Sequence, residues 1–219
     1  MKNVAVVLSG CGVMDGSEIY ETTLTLLALD KANLNAICTA PNKMQYDVVN
    51  HLTGKPDITE KRNILVEAAR LARGKITPLN ELDLSKVQAI IFPGGYGVAK
   101  NLCSYANEGS NYSVDPDIEA FLKKARKANK VMGFICFGPL VAAKVFGKEG
   151  VKLTIGNDPS TAQDIQKTGA KHEACSVGNI VFDGQHNIVS TPAYMLGRRI
   201  SEVQEGINKL VDKIAQLIG

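Results

Sequence analysis

The sequence predicts an α/β fold, a three-layer α/β/α sandwich with a mainly parallel sheet, an antiparallel hairpin at the edge and a nucleophile elbow. Continuous apolar segments alternate with segments of helical periodicity, which is typical of parallel strands covered by helices on both faces. Two short apolar segments flank the turn-forming residues 183–187, which indicates a hairpin and therefore an antiparallel edge. A cysteine directly between a strand pattern and a helix pattern indicates the elbow.

Hydrophobic patterning places the elements along the chain. Uninterrupted apolar runs predict buried strands at residues 4–8, 34–39, 87–92 and 131–135. Helical periodicity and capping residues predict helices at residues 18–32, 60–72, 115–127, 139–146, 158–169 and 200–217. Shorter apolar runs predict strands at residues 152–155, 180–182 and 188–190. Residues 103–114 are predicted to form the longest loop, which can act as a lid or a subunit contact.

Composition limits the class of protein. The 219 residues, 45% of them hydrophobic, can bury one sizeable core, and no linker or repeat divides them, so a single domain over residues 1–219 is expected. The 25 basic and 22 acidic residues leave a net charge of +3, which provides no strong field for nucleic acid or an anionic membrane. Five cysteines without a CxxC motif and an N-terminus unlike a signal sequence favour a cytoplasmic protein.

Cys136 is the candidate nucleophile. It follows the strand at residues 131–135, and Pro139 behind it suits the first turn of a helix, so Cys136 is expected on a sharp corner. A thiol at such a corner faces a helix N-terminus, whose dipole stabilises a thiolate, and lies beside free backbone N–H groups. The alternative is a small buried residue at the end of a core strand. The flanking residues favour the nucleophile.

A glycine-rich loop follows the strand at residues 87–92 and is expected at the same edge of the sheet. Its adjacent Gly94 and Gly95 leave backbone N–H groups unshielded and allow a substrate to approach, as an oxyanion hole requires. The Phe137 N–H group at the elbow can complete such a hole. A tight turn that needs one positive φ is the alternative, although it explains a single glycine more readily than several.

The loop at residues 9–18 follows the first strand. Its Gly10 and Gly12 resemble the start of a dinucleotide-binding motif, but Asp15 occupies the third glycine position and would repel a pyrophosphate. A dinucleotide site is therefore not expected. Asp15 or Ser17 is instead predicted to cap the first helix.

Glu18 and Glu21 lie on nearly the same face of that helix, directed back toward the loop end, so one of them is expected to face the site. The functional interpretation makes Glu21 the proton-handling partner of Cys136 and Glu18 a site-lining residue. A thiolate and a carboxylate in contact cannot both ionise cheaply, so the pair would share protons. The alternative is that both glutamates are solvated first-turn carboxylates.

The chain has three histidines, at positions 51, 172 and 186, and none of them forms an HxH or HExxH spacing. A metal site is therefore not expected, and no cofactor motif is present. His51 and Cys11 are further candidates for lining the site. The alternatives are a surface or packing role for His51 and a space-filling role in a tight loop for Cys11.

These loops together resemble the ThiJ/PfpI superfamily, which has the class I glutamine amidotransferase-like fold. The longer pattern, which runs nearly end to end, resembles the ElbB-type glyoxalase-like branch at residues 9–21, 49–54, 62–74, 93–102 and 191–196. The resemblance implies that Cys136 is the nucleophile and that Glu21 contacts it. It implies that Gly95 and Phe137 provide the backbone donors. It also implies a homodimer with its sites near the interface.

The resulting hypothesis is a cofactor-independent glyoxalase that converts a small reactive 2-oxoaldehyde, such as glyoxal or methylglyoxal, to a 2-hydroxy acid. Many superfamily members have histidine directly after the nucleophile, where this chain has Phe137, and residues 191–194 supply no triad histidine or glutamate. Glutaminase chemistry is therefore not expected. Two alternatives stay open: a redox sensor or chaperone-like stress factor, with Cys11 as a resolving thiol, and a deglycase or hydrolase that uses the same elbow.

Overall fold

A seven-stranded sheet forms the centre of the protein in a computed structural model that describes residues 1–219. The strands of the chain are β1 (Asn3–Val7), β2 (Asn35–Ala40), β3 (Val49–Asn50), β4 (Lys55–Pro56), β5 (Ile76–Pro78), β6 (Ala89–Phe92), β7 (Val131–Ile135), β8 (Lys152–Leu153), β9 (Lys171–His172), β10 (Val181–Asp183) and β11 (Ile188–Thr191). The helices are α1 (Ile19–Lys31), α2 (Ile64–Leu71), α3 (Tyr105–Glu108), α4 (Pro116–Lys127), α5 (Pro139–Phe146), α6 (Pro159–Lys167) and α7 (Ile200–Ile218).

The main sheet has the strand order β10-β11-β7-β6-β1-β2-β5. Every neighbouring pair in it is parallel except β10 and β11, which form the hairpin at one edge. The predicted α/β fold, with a mainly parallel sheet and an antiparallel edge hairpin, is thereby confirmed. Because β1, β6, β7 and β11 run in the same direction, the loops that follow them meet at one edge of the sheet.

Alternate residues of each strand point to opposite faces of the sheet and build two hydrophobic cores. In β1, Ala5 and Val7 belong to the core that also contains residues of α4, α5 and α6. Val4 and Val6 belong to the core that contains residues of α1, α2 and α7. The sheet is therefore the middle layer of three, and its central strands are buried on both faces, which explains their continuous apolar sequences.

The longest helix, α7, packs against α1, β7 and β11. Its buried positions lie on one stripe and comprise Val203, Gly206, Ile207, Leu210, Val211 and Ile214. The predicted apolar stripe is found except at its first residue, since Ile200 is exposed. No helix in the structure is long and apolar enough to cross a membrane.

Several element boundaries differ from the prediction for local reasons. The helix predicted at 60–72 begins only at Ile64, because the side chain of Asn63 accepts a hydrogen bond from the Val66 N–H group and forms the N-cap. The strand predicted at 152–155 is limited to β8, which pairs with β9 in a separate two-stranded sheet. By contrast, the strand at 131–135 is found with the predicted bounds.

Short elements are the ones that the sequence does not predict. They are β5 at the other edge of the main sheet, the small β3–β4 hairpin and a single π-helical turn at Val98–Leu102. Residues 103–114, predicted as a loop, contain α3 and are closed by an antiparallel bridge between Cys103 and Val114. Strands of two or three residues and a single helical turn carry too few side chains for a periodic pattern.

The first helix is capped by a residue other than the predicted ones. Glu18 is the N-cap of α1, and its carboxylate accepts a hydrogen bond from the first turn. Ser17 instead accepts a hydrogen bond from the Ser9 N–H group at 2.8 Å. Asp15 accepts one from the Val49 N–H group at 2.7 Å and so holds the β3–β4 hairpin. The prediction of Asp15 or Ser17 as the cap was wrong because both side chains fasten the loop to other segments.

Candidate active site

Cys136 occupies the predicted corner between β7 and α5. Its φ of 57° lies in the left-handed region, which costs a residue with a Cβ on the order of 1–2 kcal/mol. The corner is held by two backbone hydrogen bonds, from the Cys136 N–H group to Thr191 O at 3.0 Å and from the Gly138 N–H group to Ile135 O at 2.7 Å. Strain retained at a buried corner is typical of a nucleophile elbow.

Glu21 lies beside the Cys136 thiol, fully buried at 0% exposure. One carboxyl oxygen, Oε2, accepts a hydrogen bond from the Gly94 N–H group at 2.9 Å. The other, Oε1, accepts one from the Tyr194 N–H group at 3.2 Å. Two loops that are distant in sequence thus fix the position of this carboxyl group, and the structure brings together the two residues predicted to act as a pair.

Gly94 is required by the closeness of this contact. A Cβ atom at Gly94 would lie 2.4 Å from Cys136 Cβ, 2.6 Å from Glu21 Oε2 and 3.0 Å from Cys136 Sγ. No side chain fits there, because such distances are shorter than any real Cβ contact. Since its N–H group is donated to Glu21, Gly94 contributes space and orientation, and the donors left for a substrate oxygen are elsewhere.

The backbone N–H groups of Gly95 and Phe137 lie near enough to the Cys136 sulfur to act against the rise in its pKa. Gly95 has a φ of 98°, and a Cβ atom there would lie 2.3 Å from Gly16 O. The glycine therefore lets the loop after β6 approach the loop after β1 and turn its N–H group inward. Two N–H groups beside the nucleophile can stabilise a negative charge that develops next to it during a reaction.

Burial dominates the protonation of the pair. Desolvation, followed by the charge of Glu18, raises the pKa of Glu21 to about 8, against the hydrogen bonds from Tyr194, Cys136 and Gly94 that lower it. Desolvation and then the Glu21 carboxylate raise the pKa of Cys136 well above its usual value, although the Gly95 and Phe137 N–H groups oppose this. The expected thiolate stabilised by a helix dipole is thus wrong for the resting protein, because Cys136 is only 5% exposed.

Glu18 connects the helix that carries Glu21 to the glycine loop. Its carboxylate oxygen Oε2 accepts a hydrogen bond from the Glu21 N–H group at 2.6 Å, and its own N–H group donates to Gly94 O at 3.0 Å. Glu18 is 8% exposed, and burial raises the pKa of its carboxyl group. The two predicted glutamates are therefore buried neighbours, which contradicts the alternative that both are solvated.

His51 does not reach Cys136. Its Nε2 atom accepts a hydrogen bond from the Met14 N–H group at 3.2 Å, so Nδ1 carries the proton and donates to Val49 O at 2.9 Å. Both ring nitrogens are occupied in holding the loop after β1 against β3. No group of three or more His, Cys, Asp and Glu side chains lies close enough together to hold a metal ion.

Cys11 lies on the loop after β1, where Glu67 of α2 is among the groups that influence it. Burial is the main reason that the pKa of its thiol is raised. All five cysteines are free, and the contacts around the Cys136 sulfur come from Glu21, Gly95 and Phe137. Cys11 is therefore not among the groups that act most strongly on the Cys136 thiol.

Four aromatic residues border the site on two sides, and only Phe137 among them was predicted from the sequence. The ring of Tyr96 lies 5.1 Å from that of Phe137, and the ring of Tyr20 lies 6.3 Å from that of Tyr194. Tyr20 and Tyr96 are about half exposed. Tyr20, Tyr96 and Phe137 are direct sequence neighbours of Glu21, Gly95 and Cys136, and Tyr194 contributes its own N–H group. Adjacency to a predicted site residue is the signal that could have identified Tyr20 and Tyr96.

The thiol itself opens onto little free space. Cys136 is only 5% exposed, and neither Cys136 nor Glu21 lines any of the five main cavities among the nine on the protein, which measure 140 to 490 Å³. One of 190 Å³ is lined in part by Tyr96 and Met14, on the outer side of the glycine loop. A reactant that reaches the sulfur without displacing these loops has to be small.

Comparison with known proteins gives close relatives along the whole chain, although no family model matches. The rat (Rattus norvegicus) protein described as "ES1 protein homolog, mitochondrial" is 39% identical over 225 residues, which cover 99% of this chain and 84% of the rat protein. The human "Glutamine amidotransferase-like class 1 domain-containing protein 3, mitochondrial" is 39% identical over 99% of this chain and 83% of its own length. Both are described as mitochondrial, so the cytoplasmic location stays a prediction.

Solved structures give the same placement. A crystal structure of an "isoprenoid biosynthesis protein with amidotransferase-like domain" from Ehrlichia chaffeensis covers 100% of both chains with a TM-score of 0.93 and 36% identity. A ThiJ/PfpI domain protein from Brachyspira murdochii has a TM-score of 0.60 at 14% identity and covers 98% of this chain and 96% of its own, which supports the fold alone. The ElbB-type branch and the homodimer stay predictions. The chain belongs to the ES1 family of glutamine amidotransferase-like class 1 domain proteins.

Proposed function

We propose that the protein is a cofactor-independent glyoxalase that converts small 2-oxoaldehydes, such as glyoxal and methylglyoxal, to 2-hydroxy acids. The observation that carries the proposal is that the Cys136 thiol and the buried Glu21 carboxyl group lie side by side at Gly94, with the Gly95 and Phe137 N–H groups near the sulfur. A nucleophile, a proton carrier and oxyanion donors are the three groups that this reaction needs. The restricted access to the thiol favours a substrate of a few atoms.

The first step is addition to the aldehyde. The buried pair loses one proton, and the Cys136 thiolate attacks the aldehyde carbon, so that a C–S bond forms and the carbonyl electron pair moves to oxygen. The Gly95 and Phe137 N–H groups hold that oxyanion. Glu21 then donates its proton to the oxygen, which gives a hemithioacetal and leaves Glu21 as a carboxylate.

The second step is transfer of a proton between the two substrate carbons. The Glu21 carboxylate removes the proton from the former aldehyde carbon, and an enediolate forms. Glu21 returns the same proton to the neighbouring carbon, and the hydroxyl proton of the first carbon passes to the second oxygen, which leaves a thioester of the 2-hydroxy acid. Water then cleaves the C–S bond and releases the acid and the thiol. The sequence is an isomerisation followed by a hydrolysis, so it needs no oxidant or reductant.

The two alternative functions, a redox sensor and a deglycase or hydrolase, fit the geometry of the site less well than the glyoxalase does. Peroxide sensing favours an accessible thiolate, whereas Cys136 is 5% exposed and its pKa is raised by burial. Cys11, the suggested resolving thiol, is not among the groups that act most strongly on Cys136. Amide hydrolysis at a cysteine nucleophile relies on an adjacent imidazole base, and this chain has Phe137 after Cys136 instead of a histidine.

The test is formation of lactate from methylglyoxal by purified, EDTA-treated protein, followed by NMR. Wild-type protein and Cys175→Ser, which removes a thiol outside the site, are expected to form lactate at equal rates, and Cys136→Ser is expected to form none above background. In D2O the lactate is expected to keep the aldehyde hydrogen at C2, because Glu21 is fully buried. Equal rates for wild type and Cys136→Ser would contradict the proposal. Release of free amine from glycated substrates without lactate would favour the deglycase.

A further inference from the structure

We propose that Glu18 is a positioning residue for the Cys136–Glu21 pair: it fixes the turn that carries Glu21, and its negative charge keeps the shared proton on Glu21. This inference rests on the proposed function, because it gives Glu18 a role in the same reaction. It adds a residue that does not touch the sulfur. Its test reads the protonation of Glu21 directly, so it can fail or succeed independently of glyoxalase activity.

The first observation is a closed set of hydrogen bonds. Glu18 Oε2 accepts from the Glu21 N–H group at 2.6 Å, and the Glu18 N–H group donates to Gly94 O at 3.0 Å. The Gly94 N–H group in turn donates to Glu21 Oε2 at 2.9 Å. Glu18, Glu21 and Gly94 therefore hold one another, and the Glu21 carboxyl group cannot shift relative to the glycine loop without breaking one of these bonds.

The second observation is the residue type at the cap. Helix N-caps favour Ser, Thr, Asp and Asn, whose short side chains reach the first-turn N–H groups. Glutamate is longer and here folds back onto the backbone of Ile19, Tyr20 and Glu21, at 8% exposure. A neutral cap would satisfy the same donors. A buried carboxylate at this position adds a negative charge that helix capping alone does not require.

The third observation is that this charge has no cationic partner. Neither Glu18 nor Glu21 forms an ion pair with a lysine or arginine. The titratable groups that face the two carboxyl groups are Tyr20 on α1, Cys136 at the end of β7 and Tyr194 after β11, all neutral when protonated. The loop after β6 offers only backbone. No cationic side chain therefore offsets the effect of the Glu18 charge on the Glu21 carboxyl group.

Two buried carboxyl groups this close cannot both ionise cheaply. Glu18 has the N–H groups and the dipole of α1, which favour a negative charge at the helix N-terminus. Glu21 has the thiol and two loop N–H groups. The negative charge therefore resides on Glu18 and the proton on Glu21, where the hemithioacetal oxygen needs it. The charge of Glu18 is the second cause, after burial, that raises the pKa of Glu21 to about 8.

The experiment follows the infrared C=O stretching band of the protonated Glu21 side chain as a function of pH, assigned by its loss in Glu21→Gln. Wild type is expected to lose the band near pH 8. Glu18→Gln keeps an oxygen that can accept from the Glu21 N–H group but has no charge, and it is expected to lose the band about one pH unit lower. Glu119→Gln, which removes an exposed first-turn carboxylate of α4, is the matched control and is expected to match wild type.

A second pair of variants protects the test against misfolding. Glu18→Asp and Glu18→Asn both place good N-cap residues at the position, and they differ only in charge. Glu18→Asn is expected to titrate below Glu18→Asp. Equal midpoints within either comparison would overturn the inference. If the midpoints differ but the protein forms no lactate, the positioning role of Glu18 is upheld and the glyoxalase activity is rejected. If the protein forms lactate but the midpoints are equal, the glyoxalase activity is upheld and the positioning role of Glu18 is rejected.

Discussion

Two buried carboxylates lie at opposite ends of the sheet and have opposite properties. Glu21 faces the carboxyl ends of the parallel strands, whereas Asp183 lies in the hairpin turn, where β11 begins. Asp183 Oδ2 accepts from His186 Nδ1 at 2.8 Å and from the Lys152 N–H group at 2.7 Å. Its Oδ1 accepts from the N–H groups of Gln185 and His186 at 3.1 and 3.2 Å. The Glu21 carboxyl group, by contrast, has only two N–H donors, and its other neighbours are the Cys136 thiol and the Glu18 carboxylate.

The two environments move the pKa values in different directions. Burial raises the pKa of Glu21 to about 8. Burial acts on Asp183 in the same sense, but the hydrogen bonds from Lys152 and His186 outweigh it, and the pKa of Asp183 is lowered. The number and type of donors therefore decide whether a buried carboxylate is a fixed anion that supports the fold or a proton carrier available for chemistry. His186 and Asp183 form a titratable pair without belonging to the site.

The largest expected effect separates the two carboxylates by activity. Glu21→Gln removes the proton carrier and is expected to lower kcat for lactate formation by about 10²–10⁴-fold. Asp183→Asn is expected to leave kcat within a few-fold of wild type, because its partners are at the far end of the sheet. The measurement is lactate by NMR on both variants at one pH. Comparable losses of kcat in the two variants would break the distinction.

The next effect separates them by stability. Asp183→Ala leaves His186 and the backbone donors without their acceptor in a buried corner, and it is expected to lower the free energy of unfolding by about 3 kcal/mol. Glu21→Gln keeps its volume and is expected to cost less. Urea unfolding of both variants at neutral pH, with Glu119→Gln as a surface control, gives the comparison. A smaller loss for Asp183→Ala than for Glu21→Gln would contradict the structural role assigned to Asp183.

The pH dependence of stability sharpens the same comparison. Because the folded-state pKa of Glu21 is raised to about 8 from its ordinary value of 4.5, its contribution to stability is fully present below about pH 4.5 and declines as pH rises to about 8. The slope is at most about 1.4 kcal/mol per pH unit. Asp183, with its lowered pKa, contributes above its ordinary value of 3.8 and loses that contribution in acid. Unfolding measured across this range is expected to flatten in Glu21→Gln, and an unchanged slope would contradict the raised pKa.

The smallest effect concerns rate and pH. The pair has to lose one proton before the thiolate can attack, so kcat/KM is expected to rise about tenfold per pH unit below pH 8 and to level off above it. Lactate formation between pH 6 and pH 9 measures it. A rate that is flat from pH 6 upward would mean that the thiolate is already present in the resting protein.

The sequence predicted the parts of the molecule that depend on long patterns or on edge geometry. The strand ending at Ile135, the elbow at Cys136 and the approach of Glu21 follow from apolar runs and from the rule that parallel strands end at one edge. The Tyr194 N–H group was not predictable, because a backbone donor leaves no mark on residue type. The closure around the thiol and the position of His51 depend on how loops pack, which periodicity does not encode.

The uncompensated charge of Glu18 also bears on what leaves the site. A 2-oxoaldehyde is neutral, whereas the proposed product is an anion at neutral pH, formed beside a carboxylate in a pocket of low dielectric. No lysine or arginine pairs with Glu18 or Glu21 there. In the proposed reaction, the Glu18 carboxylate therefore repels the anionic product but not the neutral substrate. This repulsion would favour release of the 2-hydroxy acid. For the proposed reaction, the same charge would also make carboxylic acid metabolites poor competitors of the aldehyde at this site.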